Sequence, residues 1–423
     1  MKTRMILVLC VAAVCLPAFS QGLPTASPES VGLSAQRLER IGTVMQKYID
    51  EGRVAGTVTL VARKGKVAWF KAQGMMDKEA GKAMEPDAIF RICSMSKSIT
   101  STAVMMLYEE GRFVLNDPVS KFIPEFKNMR VLEKTPSGQE YTIPTSRDIT
   151  IKHLLTHTSG LTYQWNPELG TRYRDANVTH GLIQYDGKIG DSIKALAGLP
   201  LLFNPGDRFE YSLSIDALGY LVEVVSGMPL DEFFKKRIFQ PLGMKDTYFF
   251  LPDEITARLA TAYTWYEGKG LNRFPDKAIV EGAFSYTADY PYRGPKKLFS
   301  GGAGLNCTAA DYARFCQMIL NGGQLDGTRL LSRKTVELMT HDQLGKISPD
   351  SGFGLGFGVF GTKEPPAEAG SPGKYGWGGF FFTHFVIDPQ EQLIGIFMSQ
   401  LHPAGDLRLD QMFEVLAYQA IND

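Results

Sequence analysis

Residues typical of β-strands lie near both ends of this chain, and helical patterns fill its middle. Two runs of apolar and β-branched residues occur early, over residues 56–63 and 66–74, and Lys64 and Gly65 between them predict a hairpin. Three more strand-like runs occur late, over residues 354–360, 378–387 and 392–400. Strands this far apart share a core only if one sheet is assembled from both ends of the chain, with the middle inserted as a lobe.

Helical patterns flank these strands and occupy the lobe. Apolar residues at helical spacing predict a helix over residues 33–52 and a final helix over about residues 407–420. Further helices are predicted over residues 191–197, 214–226 and 231–238. A loop-rich, aromatic stretch over residues 252–298 is a candidate rim for a pocket between the sheet and the lobe.

The size and composition of the chain are those of a globular protein, and the small-molecule substrate that we expect follows from the motifs discussed below. For its 423 residues, the pattern predicts an α/β domain over residues 28–111 and 290–423 and a mainly helical inserted domain over residues 112–289. Lysine and arginine number 45, as do aspartate and glutamate, so nothing favours a nucleic-acid partner.

The first 20 residues have the pattern of a secretory signal peptide. Lys2 and Arg4 precede an apolar run over residues 5–16, which is short for a membrane span, and residues 18–20 offer a small-x-small cleavage site. We therefore expect a periplasmic or secreted protein with no membrane span after cleavage. An uncleaved membrane anchor is the alternative.

Ser94-x-x-Lys97 stands between a strand-like segment and a helical pattern that ends near Gly111. If Ser94 lies in the first helical turn, Lys97 lies one turn further on the same face, and the helix N-terminus favours a developing oxyanion. This arrangement suits a serine nucleophile activated by a lysine, although Ser94 as a simple N-cap is the alternative. Ser371-x-x-Lys374 has the same spacing, but Pro372 and Gly373 predict a turn there.

Other chemistries are disfavoured by the sequence. Cleavage of the signal would leave Cys93, Cys307 and Cys316, which form neither a disulfide framework nor a metal motif, and we interpret Cys93 as a small buried hydrophobe. The glycine pattern at residues 356–361 leads into prolines and not into a helix, which argues against a dinucleotide site. The sequence contains neither the Gly-x-Ser-x-Gly elbow nor His-Glu-x-x-His, and no cofactor or metal is predicted.

Two further stretches carry candidate site residues. Tyr211 follows a Pro-Gly turn and precedes a helix, so its phenol could relay a proton, or it could be an ordinary half-buried tyrosine. Trp377-Gly378-Gly379 enters a strand, and its glycines suggest close approach of another backbone or a ligand. We expect His157 to hold its loop, whereas the role of His384 is ambiguous.

In this order, Ser94-x-x-Lys97, Tyr211 and Trp377-Gly-Gly resemble the motifs of the serine β-lactamase and penicillin-binding-protein superfamily. The likeness is closest to β-lactamase-like family VIII carboxylesterases, which have Trp-Gly-Gly where β-lactamases have Lys-Thr-Gly. It implies an α+β fold, in which helices flank an antiparallel sheet and an all-helical domain is inserted. It also implies that Ser94 is the nucleophile, that Lys97 and Tyr211 transfer its proton, and that Trp377, Gly378 and Gly379 bind substrate.

The same resemblance places the oxyanion hole at the backbone N–H groups of Ser94 and Phe380. Two departures from the β-lactamase pattern matter, because Leu213 stands where an asparagine is usual and Trp377 replaces a lysine. We therefore expect hydrolysis of carboxylic esters through an acyl-Ser94 intermediate, with little β-lactam turnover. A D-alanyl peptidase, a β-lactamase, an acyltransferase and an acylated sensor without turnover are the alternatives.

Overall fold

The computed structural model describes residues 22–348, 352–361 and 369–423, so the predicted signal peptide lies outside the described residues. An eight-stranded antiparallel sheet forms its centre. Its strands are β1 (Gly56–Arg63), β2 (Lys66–Asp77), β3 (Lys82–Ala83), β4 (Gly352–Phe353), β5 (Gly358–Val359), β6 (Tyr375–Gly379), β7 (Thr383–Asp388) and β8 (Leu393–Met398). They lie in the order β4-β5-β6-β7-β8-β1-β2-β3, which confirms that both ends of the chain build one sheet.

The helices fall before, between and after these strands. They are α1 (Ala35–Asp50), α2 (Ser96–Glu109), α3 (Ile151–Leu155), α4 (Gly170–Asp175), α5 (Ile189–Ala197), α6 (Ser214–Ser226), α7 (Leu230–Phe234), α8 (Gln240–Leu242), α9 (Ala309–Leu320), α10 (Arg333–Thr340) and α11 (Leu409–Tyr418). A π-helical turn, Lys235–Phe239, joins α7 to α8. Short 3₁₀ segments are Pro28–Val31, Cys93–Met95, Val119–Lys121, Pro124–Phe126, Asp253–Arg258 and Gly345–Ile347.

Alternate residues of the central strands face two separate apolar cores. On β1, Leu60 and Ala62 belong to the large core that includes α2 and the helices of the lobe, whereas Val61 packs with α1 and α11. On β8, Ile394 belongs to the large core, whereas Phe397 packs with Val61 in the second core. Because side chains alternate along a strand, a sheet covered on both faces needs apolar residues throughout, as the fully buried β1 and β8 have.

Two predicted strands are each broken by a turn. The run at residues 354–360 forms no single strand, since Gly354 N–H bonds to Phe357 O and the chain reverses between β4 and β5. The run at residues 378–387 turns between β6 and β7, where Phe382 has a φ of 63°. Glycines mark both turns, since Gly356 in the first has a φ of 89° and Gly379 precedes the second, but the aromatic residues around them favoured continuous strands.

The middle of the chain contains β-structure as well as helices. Three hairpins lie there: Arg130–Lys134 with Glu140–Pro144, Tyr263–Tyr266 with Gly270–Arg273, and Ile279–Glu281 with Phe284–Tyr286. A small sheet joins Phe90–Arg91, Asn306–Cys307 and Thr247–Tyr248, and Gln324–Leu325 pairs with Thr328–Arg329. Among the described residues, no helix combines the length and apolar character needed to cross a membrane.

Candidate active site

Ser94 lies in a tight turn at the start of α2. The 3₁₀ segment Cys93–Met95 runs directly into α2, so Ser94 precedes the α-helix and does not form its first turn. Its side chain is half-buried, whereas those of Cys93 and Met95 are fully buried. Cys93 has a φ of 43°, a left-handed conformation that costs energy for a residue with a side chain and is often found beside functional groups.

Lys97 is buried directly behind Ser94. Its Nζ donates to Ser94 Oγ at 3.1 Å and to the backbone oxygen of Gly302 at 2.8 Å. Only 2% of the residue is exposed, and it lies one helical turn after Ser94. The amine and the hydroxyl are therefore held in contact by a rigid support, as the spacing predicted.

Tyr211 and Trp377 complete a continuous chain of contacts from Ser94. Lys97 Nζ lies 4.7 Å from the centre of the Tyr211 ring. Trp377 Nε1 donates to Tyr211 Oη at 3.1 Å, although the two residues are 166 positions apart. The indole therefore stabilises negative charge on the phenol oxygen. Both side chains are half-buried, so they remain accessible from solution.

The end of β6 presses against the turn that carries Ser94. A Cβ on Gly379 would lie 2.4 Å from the backbone oxygen of Ile92, so only glycine allows this approach. The expectation of close backbone contact is confirmed for Gly379. Gly378 lies opposite His384 in β7, and Phe380 follows directly after the strand. The N–H groups of Ser94 and Phe380 thus belong to two adjoining backbone segments.

His157 fixes the loop that presents Tyr211. Its Nδ1 accepts a hydrogen bond from the Ser212 N–H at 3.1 Å, and its ring lies 4.8 Å from that of Tyr211. Complete burial lowers the pKa of His157 well below its usual value, so the imidazole is neutral. These contacts fit the expected structural role.

One polar residue at the site, Asp216, was not identified from sequence. Asp216 is buried on α6, and its Oδ1 accepts from Ser300 Oγ at 2.6 Å and from Gly302 N–H at 3.1 Å. It therefore fixes Gly302, the residue whose backbone oxygen accepts from Lys97. Burial raises the pKa of the Asp216 carboxyl, while the nearby Lys97 lowers it. An acid in the first turn of α6, beside apolar residues, was the signal available in the sequence.

Aromatic rings surround the reactive groups. Tyr163 is buried and stacks on Trp165, with ring centres 4.1 Å apart, and burial raises its pKa well above the usual value. Trp165 meets Phe284 at 5.1 Å, and Phe284 meets Phe380 at 5.9 Å. The hairpin that carries Phe284 belongs to the stretch predicted as a pocket rim. The surroundings of Ser94 are therefore apolar and uncharged on this side.

The remaining candidates lie away from this chemistry. Cys93 is confirmed as a buried thiol, and burial raises its pKa to about 11. His384 bonds to Glu414 on α11, where Lys374 also pairs with Glu414, so these residues fix the last helix to the sheet. Ser371 and Lys374 are joined by the predicted turn. No cluster of metal-binding side chains occurs in the part of the chain that the structure describes.

A sequence model of the beta-lactamase family matches residues 41–419, nearly the whole of the described chain. The chain belongs to the beta-lactamase family. Proteins that resemble it include Esterase EstB of Burkholderia gladioli, which is 32% identical over 383 residues, or 85% of this chain and 90% of that one. A putative D-alanyl-D-alanine carboxypeptidase of Salmonella agona is 29% identical over 388 residues, or 87% and 83% of the two chains.

Solved structures show the same fold in a hydrolase and in a penicillin-binding-protein homologue. EstCE1, described as a hydrolase with promiscuous acyltransferase activity, superimposes with a TM-score of 0.78 at 29% identity, over 92% of this chain and 99% of that one. A penicillin-binding protein homologue from Caulobacter crescentus shares the fold, with a TM-score of 0.68 at 20% identity over 92% and 99% of the chains. The protein is thus a member of a serine hydrolase superfamily with a β-lactamase-like fold.

Proposed function

We propose that the protein is a carboxylesterase that forms an acyl intermediate on Ser94. The observation that carries this proposal is the unbroken path of contacts from Ser94 Oγ through Lys97 to Tyr211 and Trp377. The likeness to Esterase EstB and EstCE1 supports the same reaction class.

In the first half of the reaction, Ser94 Oγ attacks the ester carbonyl and its proton passes to the Lys97–Tyr211 pair. The N–H groups of Ser94 and Phe380 stabilise the tetrahedral oxyanion, aided by the partial positive charge at the start of α2. When the carbon–oxygen bond of the ester breaks, Tyr211 returns the proton to the departing alcohol.

In the second half, water attacks the acyl-Ser94 carbonyl and gives a proton to the same pair. The second tetrahedral intermediate collapses, the acid leaves, and the proton returns to Ser94 Oγ. The Trp377 N–H acts in both halves, because it stabilises the Tyr211 oxygen whenever that oxygen is deprotonated.

Two features favour neutral esters over β-lactams and D-alanyl peptides. Leu213 is completely buried in the large core, so it offers no polar group to a substrate amide. The indole N–H of Trp377 is already bonded to Tyr211, and an indole cannot supply the positive charge that binds a substrate carboxylate. Each missing polar contact is worth about 1.5–3 kcal/mol, so the loss of two should weaken the binding of β-lactams and D-alanyl peptides substantially.

The test compares p-nitrophenyl esters of increasing acyl length with nitrocefin and a D-Ala-D-Ala peptide, using the wild type and Ser94→Ala. We expect kcat/KM for the best ester to exceed that for nitrocefin by at least about 10³, and Ser94→Ala to abolish both activities. Faster hydrolysis of nitrocefin or the peptide would overturn the esterase proposal. A stable adduct without turnover would instead identify a sensor.

Acyl transfer to an alcohol is the second candidate, since EstCE1 is described as having that activity. The apolar ring surface between Trp165 and Phe380 suits an alcohol that competes with water for acyl-Ser94. Product analysis with added alcohol measures the ratio of new ester to free acid.

We further propose that the protein acts in the periplasm or outside the cell, which N-terminal sequencing of the mature protein would test.

A further inference from the structure

A cavity separate from the Ser94 site lies between the segment 231–245, the strand Thr247–Tyr248 and Phe299. Its volume is about 570 Å³, within the range of small-molecule pockets. None of the residues that line it belongs to the chain of contacts between Ser94 and Trp377. It therefore has no part in the reaction proposed above.

The wall of this cavity is apolar and aromatic. Phe249 meets Phe299 with ring centres 5.3 Å apart, and Phe250 meets Phe299 at 5.9 Å. Phe239 and Met244 add two more apolar side chains. Phe250 and Phe299 are only half-buried, so an apolar ligand would remove their exposed surface from water.

An irregular helix shapes one side of the cavity. Pro241 has no backbone N–H to donate to residue 237, and the turn Lys235–Phe239 before it is π-helical, with the Gln240 N–H bonded to Lys235 O. The wider turn brings both Lys235 and Phe239 to the cavity. Such turns inside helices occur frequently at functional sites.

Two lysines give the rim of the cavity a positive charge. Lys235 and Lys245 both line it and are exposed, and neither makes an ion pair within the described ranges. Their neighbour Lys236 differs, because it pairs with Glu232 at 2.6 Å. The one acidic residue among the lining is Asp231, whose Oδ1 is buried without a hydrogen-bond partner in the described structure. Burial raises the pKa of Asp231, whereas the nearby Lys235 lowers it.

We propose that this cavity binds a carboxylate amphiphile, such as the anion of a medium-chain or long-chain fatty acid. The tail lies against Phe249, Phe250 and Phe299, and the carboxylate accepts hydrogen bonds from the ammonium groups of Lys235 and Lys245. A cationic amphiphile would be repelled by the ammonium groups of Lys235 and Lys245, with only the Asp231 carboxyl to attract it. The cavity should therefore bind anionic amphiphiles in preference to cationic ones.

Titration calorimetry of the full chain with dodecanoate tests the proposal. Dodecyltrimethylammonium is the comparison ligand, because it has a tail of the same length and a head group of opposite charge. We expect Lys235→Glu and Lys245→Glu each to raise the Kd for dodecanoate by about tenfold or more. Lys236→Glu introduces the same charge change beside the cavity and is the matched control, for which we expect less than about a twofold change. All three positions are exposed, so folding is preserved.

Tail contact is tested separately by Phe250→Ala, which we expect to weaken both dodecanoate and octanoate and to reduce the difference in Kd between them. Dodecanoate binding that is unchanged in both rim variants, or equal binding of dodecyltrimethylammonium, would overturn the proposal. Since binding and not turnover is measured, failure of the esterase proposal would leave this result interpretable.

Discussion

Polar contacts hold Lys97 on one side of the Ser94 site, whereas aromatic rings surround Tyr211 on the other. On the Lys97 side the contacts are polar, because Lys97 Nζ bonds to Ser94 Oγ and Gly302 O, and Asp216 fixes Gly302 from behind. On the Tyr211 side the surroundings are aromatic, and the hydrogen bond from Trp377 is the polar contact that the structure describes for the phenol.

This difference predicts a graded response to substitution. A change on the polar side leaves buried donors or acceptors without partners, which costs more than the net worth of the bond that is lost. On the aromatic side the phenol is half-buried, and water can replace a lost partner. Losses of activity should therefore decrease from Lys97 to Tyr211 to Trp377, and Asp216→Asn should come last because the substitution keeps an acceptor for Ser300 and Gly302.

Lys97→Met tests the polar side most strongly. It keeps most of the side-chain volume but removes the amine, so kcat/KM for a p-nitrophenyl ester should fall by about 10³–10⁴. Circular dichroism checks that the fold is retained. A variant that keeps a tenth of the wild-type kcat/KM would remove Lys97 from the proton path.

Tyr211→Phe should reduce kcat/KM by about 10²–10³, since the ring remains and only the proton carrier is lost. Pre-steady-state release of nitrophenol separates acylation from deacylation, and we expect both steps to slow. A loss confined to KM, with kcat unchanged, would show that Tyr211 only binds substrate.

Trp377→Phe sharpens the comparison, because it deletes the hydrogen bond that the structure describes to Tyr211 Oη and keeps an aromatic ring. One hydrogen bond of about 1 kcal/mol corresponds to a loss of about fivefold in kcat. Steady-state kinetics with a p-nitrophenyl ester measure this loss, and an unchanged kcat would mean that the hydrogen bond does not support Tyr211 in the reaction.

Trp165→Phe is the matched control for this change, since Trp165 lies at the same site but contacts Tyr163 and Phe284 through its ring alone. It should alter KM for bulky esters and leave kcat unchanged. Equal losses of kcat in both variants would mean that general packing, and not the N–H, is responsible.

Asp216→Asn should have the smallest effect, about two- to fivefold in kcat, because an amide oxygen can still accept from Ser300 and Gly302. The matched variant Asp216→Ala leaves the Gly302 N–H without its partner and should cost substantially more. Equal kcat values for the two variants would contradict the role of Asp216 in holding the Gly302 peptide.

Local pattern in the sequence was sufficient for much of the fold. Strand β1 and helix α6 lie at the predicted residues, and the sheet is assembled from both ends of the chain. The Ser94–Lys97 contact also followed from spacing, because residues three apart share a helical face. These features depend on neighbours in the chain, which is why periodicity reveals them.

The features that sequence could not supply depend on distant contacts. The bond between Trp377 and Tyr211, the support of Gly302 by Asp216, and the turn at Phe382 each require the finished tertiary structure. The hairpins of the lobe were missed for a related reason, since Ile279–Glu281 and Phe284–Tyr286 are each only three residues long and partly exposed. Short, half-exposed strands carry little of the alternation that marks a strand.

The most direct measurement of the central claim is the mass of a covalent adduct. A p-nitrophenyl alkylphosphonate should label the wild type once, and peptide mass spectrometry should place the label on Ser94. Ser371→Ala, which alters the second Ser-x-x-Lys match, should be labelled normally, whereas Ser94→Ala should not react. A label on any other residue, or full labelling of Ser94→Ala, would contradict the account.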